Sequence, residues 1–220
     1  MKELSTIYQA RFSATGLEKR ERVWKVLCKH FFQQYVPSDG SVLDLACGYG
    51  EFINNIEAKQ RFGVDLNPDS PRHLDSGVSF KLSRADDLSH IPTASLDRVF
   101  TSNFLEHLPD KDACNAVLKE VLRVLKPGGK FLIMGPNIRY AYKEYWDYYD
   151  HYLPLSHLSL VEGLMLAGYT PETVIDRFLP YTMNNSRPSA DWLIRLYLAV
   201  RPAWKLIGKQ FFVVARKPEA

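Results

Sequence analysis

The stretch VLDLACGYGEF, Val42 to Phe52, decides the fold predicted for this chain. An apolar run that contains Asp44 leads into a turn with Gly48 and Gly50, and Glu51 follows where a helix is expected to begin. In open α/β sheets, ligands lie at the carboxyl ends of the strands, and glycines let the backbone turn tightly there. The stretch therefore predicts a sheet with a ligand-binding turn after its first strand.

Segments with strand and helix patterns alternate along the chain. The predicted strands are Val42–Leu45, Arg61–Leu66, Val78–Leu82, Asp97–Ser102, Lys130–Met134, Thr173–Phe178 and Gln210–Ala215. The predicted helices are Leu17–Tyr35, Glu51–Ala58, Asp112–Leu125, Leu160–Ala167 and Ala190–Ile207, the last of them interrupted at Pro202. Because strand and helix alternate from residue 42 to residue 134, the pattern predicts an α/β fold with a parallel sheet.

Composition and the first residues favour a cytoplasmic globular protein. The net charge of +3 and the lack of a long basic run argue against nucleic acid as a partner. The start, MKELSTIYQARF, lacks the apolar core of a signal peptide, and no run reaches the roughly 18 apolar residues of a membrane span. The three cysteines, Cys28, Cys47 and Cys114, are spaced too widely to predict a disulfide framework or a metal site.

The glycine turn fits a cationic ligand better than a dinucleotide. The dinucleotide fingerprint needs a third glycine where Ile53 stands, and the carboxylate of Asp44 would repel a pyrophosphate. An ammonium or sulfonium group would instead be attracted to that carboxylate. Asp65 ends the second predicted strand, where it either accepts hydrogen bonds from ribose hydroxyls or caps a helix before Pro68.

Five motifs follow one another between Ser41 and Asn137. They are VLDLACGYG, GVDLNPD, RADDL, LDRVFTSNFLEHL and VLRVLKPGGKFLIMGPN. In this order they resemble the class I S-adenosylmethionine-dependent methyltransferases, and most closely the subgroup that acts on small molecules. The resemblance implies a Rossmann-like, mostly parallel sheet of about seven strands with helices on both faces and an antiparallel last strand.

The resemblance also implies a single methyltransferase domain over 1–220. Residues 1–40 would form a helical cover, 41–137 the cofactor-binding core, and 138–220 the acceptor side and the closing edge of the sheet. A chain of 220 residues is long enough for one sizeable core, which agrees with this division.

The glycine turn is implied to bind the methionine part of S-adenosylmethionine. Asp44, Ala46, Gly48 and Gly50 would form this loop, with Ala46 where the family pattern has its first glycine. Arg11, in the N-terminal segment, is either a partner of the methionine carboxylate or a solvated surface arginine.

The nucleoside part of the cofactor has its own implied contacts. Asp65 would hold the ribose, and Leu66 would pack on the adenine ring. Asp86, in RADDL, would accept a hydrogen bond from the adenine amino group, and its neighbour Asp87 is the alternative for that role.

The residues after the fourth predicted strand limit the chemical class of the methyl acceptor. Ser102 and Asn103 stand where the family places backbone contacts to the methionine amino group. Enzymes that methylate amino groups of nucleobases or glutamine often carry Asn/Asp-Pro-Pro-Tyr/Phe here, whereas this chain has Asn103-Phe104-Leu105-Glu106. An oxygen acceptor is therefore preferred, and a small amine or carbon acceptor stays open.

Histidines are the candidate bases for a hydroxyl acceptor. His107 follows the fourth strand and is either catalytic or a packing and capping residue. His151 and His157 lie in EYWDYYDHYLPLSHLSL, where Asp147 and Asp150 would either join them in an acid–base cluster or form a solvated helix face. No spaced set of His, Cys and Asp residues predicts a metal.

Aromatic residues crowd the same segment and suggest a ring-shaped acceptor. They offer the flat faces and hydroxyls that bind sugars, and they are Tyr140, Tyr142, Tyr145, Trp146, Tyr148, Tyr149 and Tyr152. The C-terminal half also resembles methyltransferases encoded among bacterial polysaccharide genes. That resemblance implies a sugar, a nucleotide-sugar or a lipid-linked glycan as the acceptor, and a role in polysaccharide biosynthesis.

Residues 190–210 combine tryptophans and aliphatic side chains with arginines and lysines. A basic amphipathic helix of this kind lies on a membrane surface in some proteins, and a lid packed on the sheet is the alternative. The first interpretation predicts peripheral membrane contact, which would suit a lipid-linked acceptor.

Two other classes of function fit parts of the sequence. An NAD(P)-dependent oxidoreductase would bind NADH, although the missing third glycine argues against it. A non-catalytic binding protein on a methyltransferase scaffold would keep the cofactor loop and lack a working acceptor pocket.

Overall fold

The computed structural model describes residues 14–181 and 190–219. Its strands are β1 (Ser41–Leu45), β2 (Gln60–Asp65), β3 (Val78–Leu82), β4 (Leu96–Ser102), β5 (Leu125–Pro136), β6 (Thr170–Ile175) and β7 (Gln210–Arg216). Its α-helices are α1 (Ala14–His30), α2 (Lys111–Val124), α3 (Ile138–Tyr145), α4 (His157–Leu166), α5 (Asp191–Ala199) and α6 (Arg201–Ile207). Short 3-10 helices cover Phe32–Tyr35, Ser70–Arg72 and Leu105–His107.

The seven strands form one sheet in the order β3-β2-β1-β4-β5-β7-β6. The pairs β1–β2, β2–β3 and β4–β5 are parallel, whereas β7 runs antiparallel to both β5 and β6. In this register Val42 lies opposite Arg61, and Met134 lies opposite Phe212. The predicted Rossmann-like, mostly parallel sheet with an antiparallel last strand is confirmed.

The described residues fall into two compact units, and the first contains β1, β2, β3, α1 and α5. All five residues of β1 are buried, as expected for a strand covered on both faces. Phe32 packs edge-on against Phe52 at 5.9 Å between ring centroids, and the thiol of Cys28 points at the Phe52 carbonyl. Helix α1 packs on α5. This core positions the turn that follows β1.

The second unit contains β4 to β7 with α2, α3, α4 and α6. Helix α2 begins where the Asp110 carboxylate accepts a hydrogen bond from the Ala113 amide, and it buries Val117 and Val121. Residues Pro127, Gly128 and Gly129 lie inside β5, where the register with β4 shifts. The unit thereby places the end of β4 and the segment after it.

The predicted helix Glu51–Ala58 is wrong, because residues 51–55 form successive turns instead. The side chain of Asn55 donates to the Glu51 carbonyl at 2.9 Å, and Arg61 donates to the Ile53 carbonyl at 3.0 Å. Side chains therefore take up carbonyl groups that a helix would offer to backbone amides.

Two predicted elements near the C-terminus are displaced. The helix predicted over Ala190–Ile207 is split at Val200 into α5 and α6, and Pro202 lies in the first turn of α6, where a missing amide hydrogen costs little. The strand predicted over Thr173–Phe178 begins three residues earlier, as β6. Among the described helices, none has the length and apolar content required to cross a membrane.

Candidate active site

The turn after β1 is held in a conformation that favours glycine. Ala46, Gly48 and Gly50 all have positive φ angles, of 59°, 54° and 80°. The Gly50 amide donates to the Cys47 carbonyl at 2.8 Å and closes the turn. A Cβ atom on Gly50 would lie 2.3 Å from Cδ2 of Leu74, so a larger residue would be strained by its φ and would require the Leu74 side chain to move. The turn thus keeps its backbone close to whatever binds there.

Asp65 fastens this turn to the end of β2. Its Oδ2 accepts a hydrogen bond from the Gly48 amide at 2.7 Å, and its Oδ1 accepts one from the Asn67 amide at 2.7 Å. Burial raises the pKa of the Asp65 carboxyl, although these amide bonds act against the rise. Each carboxylate oxygen can accept a second hydrogen bond, so Asp65 can hold the turn and a ribose hydroxyl together.

Three carboxyl groups gather around the turn. Asp44 is only 3% exposed, and burial raises its pKa well above the usual value, with further contributions from the charges of Glu51 and Asp65. Glu51 pairs with Arg20 at 2.7 Å. A buried cluster of carboxylates is unfavourable by itself and favourable around a cation. The donor set therefore fits the ammonium and sulfonium groups of S-adenosylmethionine.

The remaining residues predicted for the nucleoside lie near the surface of their units. Leu66, just after β2, is 44% exposed. Asp86 receives two hydrogen bonds from Arg84, at 2.8 and 2.7 Å, and Asp87 accepts one from the Ser89 amide. The guanidinium of Arg84 holds the pKa of Asp86 below its usual value.

The chain after β4 contains a buried amide oxygen without a hydrogen bond to the described residues. Ser102 ends the strand, and Asn103 follows with a φ of 48° while its amide donates to the Met134 carbonyl at 2.9 Å. The Oδ1 atom of Asn103 is the unpaired one. A buried acceptor of this kind fits a ligand amino group. Arg11, the other residue predicted for the methionine end, lies outside the described residues.

His107 closes the 3-10 helix that follows β4, and Asp150 fixes its tautomer. Nδ1 of His107 lies 2.9 Å from the Asp150 backbone oxygen and 3.2 Å from its Oδ2. Both partners are acceptors, so Nδ1 carries the hydrogen, and the neutral ring has its lone pair on Nε2. Burial lowers the pKa of His107, but the Asp150 hydrogen bond and the Glu106 charge outweigh it and raise the pKa overall.

His151 lies against His107, with ring centroids 4.9 Å apart and edge-on geometry. It is 5% exposed and packs between the rings of Tyr145 and Tyr148, at 4.7 and 4.9 Å. The amides of the next two residues, at 152 and 153, donate to the backbone oxygen of Glu106 at 2.8 and 3.1 Å. These two hydrogen bonds hold the segment after α3 against the end of β4.

The other two predicted catalytic residues make no hydrogen bond, ion pair or ring contact with this group of described residues. Nδ1 of His157 accepts a hydrogen bond from Nδ2 of Asn137 at 2.9 Å, so its lone pair is engaged. Asp147 is exposed. The structure therefore brings His107, His151 and Asp150 together, whereas Asp147 and His157 do not join them. Glu106 belongs to the group and was not predicted, although it directly precedes His107 in the sequence.

The comparisons with known proteins agree with this geometry. Residues 43–133 match the family model described as "Methyltransferase domain". Residues 43–133 of this chain therefore carry a methyltransferase domain. The matched residues run from β1 into β5, so they include the glycine turn and His107 and end before His151. The family resemblance is confirmed, whereas the polysaccharide-gene subgroup stays a prediction.

Relatives of the methyltransferase domain include enzymes named O-methyltransferases. The fatty-acid O-methyltransferase of Mycolicibacterium smegmatis is 31% identical over 180 residues, which are 74% of this chain and 61% of the relative. The ubiquinone biosynthesis O-methyltransferase of Xanthomonas axonopodis pv. citri is 30% identical over 110 residues, 46% of this chain and 45% of the relative. The chain therefore spans about half to three fifths of the length of these relatives.

Solved structures share the fold of the methyltransferase domain over nearly the whole chain. A SAM-dependent methyltransferase from Archaeoglobus fulgidus has a TM-score of 0.66 at 24% identity, covering 90% of this chain and 94% of that one. The [4+2]-cyclase SpnF has a TM-score of 0.60 at 19% identity, covering 91% and 81%. Because a cyclase and a methyltransferase share this fold, the activity must be argued from the site residues.

Proposed function

We propose that this chain transfers the methyl group of S-adenosylmethionine to an oxygen atom of a small acceptor. The observation that carries this proposal is the pair of buried carboxyl groups, Asp44 and Asp65, with the half-buried Glu51, around a turn whose residues have positive φ angles. Such a group disfavours phosphate and favours a ligand with positive charge. The family match over residues 43–133 supports the same cofactor.

The residues of the turn would bind and orient the cofactor. Asp65 has lone pairs to spare for the ribose hydroxyls, and the exposed Leu66 offers an apolar surface for the adenine ring. The cofactor supplies an electrophilic methyl group on a sulfonium. Because that leaving group is already activated, the protein has to align the acceptor and remove its proton.

The acceptor's proton would leave through the cluster that contains His107. The lone pair on Nε2 of His107, set by the Asp150 hydrogen bond, can take a hydroxyl proton. Carboxylic acid acceptors would need no such step, since they are ionised at neutral pH. Both kinds of oxygen acceptor agree with the names of the relatives, a fatty-acid O-methyltransferase among them.

A glycan-type acceptor is the narrower form of the proposal. Exposed aromatic rings lie in the segment around His151, and they are Tyr142, Trp146, Tyr149 and Tyr152. Flat rings with hydroxyls stack on sugar faces and donate hydrogen bonds to them. A sugar, nucleotide-sugar or lipid-linked glycan would use this surface.

If the acceptor is linked to a lipid, α5 would contact the membrane that holds it. Trp192 and Leu196 lie one helical turn apart and are 64% and 52% exposed, while Leu198 is buried on another face. Arg195 lies beside them, and its charge, together with that of Lys29, acts on His30 of α1. We propose that this basic, aromatic surface contacts anionic lipids.

The first test is thermal melting with S-adenosylmethionine, S-adenosylhomocysteine and NADH in parallel. A ligand at 100 times its Kd stabilises the fold by about 2.7 kcal/mol, or roughly 5–10 °C for a chain of this size. We expect both adenosyl ligands to raise Tm and NADH to leave it unchanged. A rise with NADH alone would contradict the proposal and favour an oxidoreductase.

The second test is transfer of a radioactive methyl group from S-adenosylmethionine to a panel of oxygen acceptors. The panel holds a fatty acid, a phenol, free sugars and nucleotide-sugars. We expect product with at least one oxygen acceptor. If the protein binds the cofactor but methylates no member of the panel and nothing in a cell extract, the non-catalytic alternative is favoured.

A further inference from the structure

Glu106, His107 and His151 form a compact group of potential metal ligands. Each offers one ligand atom, and the three atoms lie within 4.8 Å of one another. Glu106 and His151 are 4% and 5% exposed. The sequence spacing does not predict this group, because His151 is distant from the adjacent pair along the chain. The fold brings it there through the hydrogen bonds to the Glu106 backbone.

We propose that Glu106, His107 and His151 together bind one divalent transition-metal ion, with Zn²⁺ as the first candidate. Two imidazoles and one carboxylate are a donor set that binds Zn²⁺ and other first-row ions and leaves coordination positions open. The site itself stands on this geometry alone. Only the role of the ion in methyl transfer rests on the proposed function.

His107 is oriented as metal-binding histidines commonly are. Its Nδ1–H donates to the backbone oxygen and the carboxylate of Asp150, so that Nε2 presents a lone pair. A carboxylate that holds the far nitrogen of a ligating imidazole fixes the ring and makes the ligand more basic. Asp150 would therefore act as a positioning residue for the ion.

The surroundings of His151 also suit a ligand. Tyr148 stacks on its ring with an interplanar angle of 23°, and Tyr145 and His107 meet it at steeper angles. These contacts fix the plane of the imidazole. An ion with bonds of ~2.0–2.2 Å places its donors roughly 3.3 Å apart, so the three atoms have to close by about 1.5 Å at most. Small side-chain rotations provide that movement.

Charge favours a dication at this place. The carboxylate of Asp150 lies 3.2 Å from Nδ1 of His107, and Glu106, the residue before His107, is buried. Buried carboxylates need a compensating cation, and the two candidates are a proton on His107 and a metal ion. These candidates differ in a measurable way, because a proton leaves no stoichiometric metal in the protein.

The ion would change how the acceptor is activated. An open position would bind the acceptor oxygen and lower the pKa of a hydroxyl, so that its proton leaves to solvent. The new oxygen–carbon bond then forms as the sulfur–carbon bond breaks, and the sulfur keeps the electron pair. Nε2 of His107 would serve as a ligand in the loaded enzyme and as the proton acceptor only without metal.

The test is metal binding to the tag-free, EDTA-treated full chain. Zn²⁺ is titrated by calorimetry, and Co²⁺ is added separately because its visible absorption reports nitrogen and oxygen ligands. We expect about one ion per chain for the wild type. Glu106→Gln should bind at least about 100-fold more weakly, and Asp150→Asn about 10–100-fold more weakly. His30→Gln removes an exposed histidine of the first unit and should bind as the wild type does.

Each outcome decides the proposal. A stoichiometry near zero for the wild type, or equal affinity in the wild type and Glu106→Gln, would overturn it, and circular dichroism shows whether the variants fold. If Glu106→Gln does not fold, Asp150→Asn and the Co²⁺ spectrum of the wild type decide instead. Binding of S-adenosylhomocysteine to the same samples tests the proposed function separately. If the protein binds the metal but its rate of methyl transfer is unchanged when EDTA removes the metal, the ion has no role in the reaction.

Discussion

Gly50 shows how one residue can decide whether the cofactor turn exists. Its φ of 80° lies in the left-handed region, and a Cβ atom there would meet Leu74 at 2.3 Å. Ala46 has a similar φ but is small enough for its place. The family resemblance predicts Ala46 and Gly50 as turn residues, because the requirement for a small residue is local and is therefore visible in the sequence.

Gly50→Ala should therefore disrupt the turn. We expect a loss of stability of roughly 1–3 kcal/mol from the strained φ and the clash, and a loss of most S-adenosylhomocysteine binding. Gly163→Ala is the matched control, since its Cβ would meet only Leu118, at 3.9 Å, inside α4. That control should be neutral or stabilising by up to about 1 kcal/mol. Urea unfolding and calorimetry measure both effects, and equal behaviour of the two variants would contradict this account.

Asp150 determines the protonation of His107. Burial lowers the pKa of His107, whereas the Asp150 hydrogen bond and the Glu106 charge raise it above the ordinary value. We expect Asp150→Asn to lower the pKa of His107, as measured by NMR titration of the imidazole in metal-free protein. The His157 resonance serves as the internal control, because His157 bonds Asn137 instead. An unchanged His107 titration would show that Asp150 does not act on this ring.

At the scale of elements, the sequence predicts strands better than it predicts the chain between them. β1 and β2 are found within one residue of their predicted bounds, because apolar runs between turn residues mark buried strands. The helix predicted over 51–58 is absent because the side chains of Asn55 and Arg61 donate to its carbonyl groups, and such side-chain hydrogen bonds leave no periodic pattern in the sequence. The same reason hides the contact between His107 and His151, since it depends on backbone bonds to Glu106.

At this scale, we predict that helix α5 binds to membranes that contain anionic lipids. Liposome flotation should show binding of the protein to vesicles with anionic lipids and weak binding to vesicles of phosphatidylcholine alone. The double variant Trp192→Ser/Leu196→Ser should lose most of this binding, because both side chains are exposed and carry the apolar surface.

A matched control for α5 comes from α4. Leu158 and Met165 are also exposed apolar residues, at 54% and 61%, and α4 contains no lysine or arginine. Leu158→Ser/Met165→Ser should leave vesicle binding unchanged. Equal binding by the wild type and the α5 variant would mean that α5 does not contact lipids.

At the scale of the whole molecule, the sequence predicts the residues proposed for the cofactor better than it predicts those proposed for the acceptor. The residues proposed for the cofactor, such as Asp44 and Asp65, lie at the carboxyl ends of β1 and β2, where a regular fold places ligand contacts, so motifs predict them. The residues proposed for the acceptor lie in the irregular segment after α3, where loops rather than strand ends position side chains. His157 and Asp147 show this limit, because both belong to the predicted cluster by sequence and make no hydrogen bond, ion pair or ring contact with His107 in the fold.

The stability of the whole protein should record the burial of Asp44. Burial, together with the charges of Glu51 and Asp65, raises the pKa of Asp44, so the folded chain binds a proton that the unfolded chain has released. Between the ordinary carboxyl pKa and the raised one, this group therefore makes the protein less stable as the pH rises.

Asp44→Asn isolates that effect. The variant cannot ionise, so without ligand it should be more stable than the wild type at neutral pH by about 1 kcal/mol or more, a Tm rise of roughly 2–4 °C per kcal/mol. The difference in Tm should grow from pH 5 to pH 8, the direction that deprotonation of Asp44 requires. The same variant should bind S-adenosylmethionine about tenfold more weakly or worse, because the charge that destabilises the empty turn is the one that attracts the cation. A variant that is less stable at every pH yet binds the cofactor normally would show that Asp44 has a structural role instead.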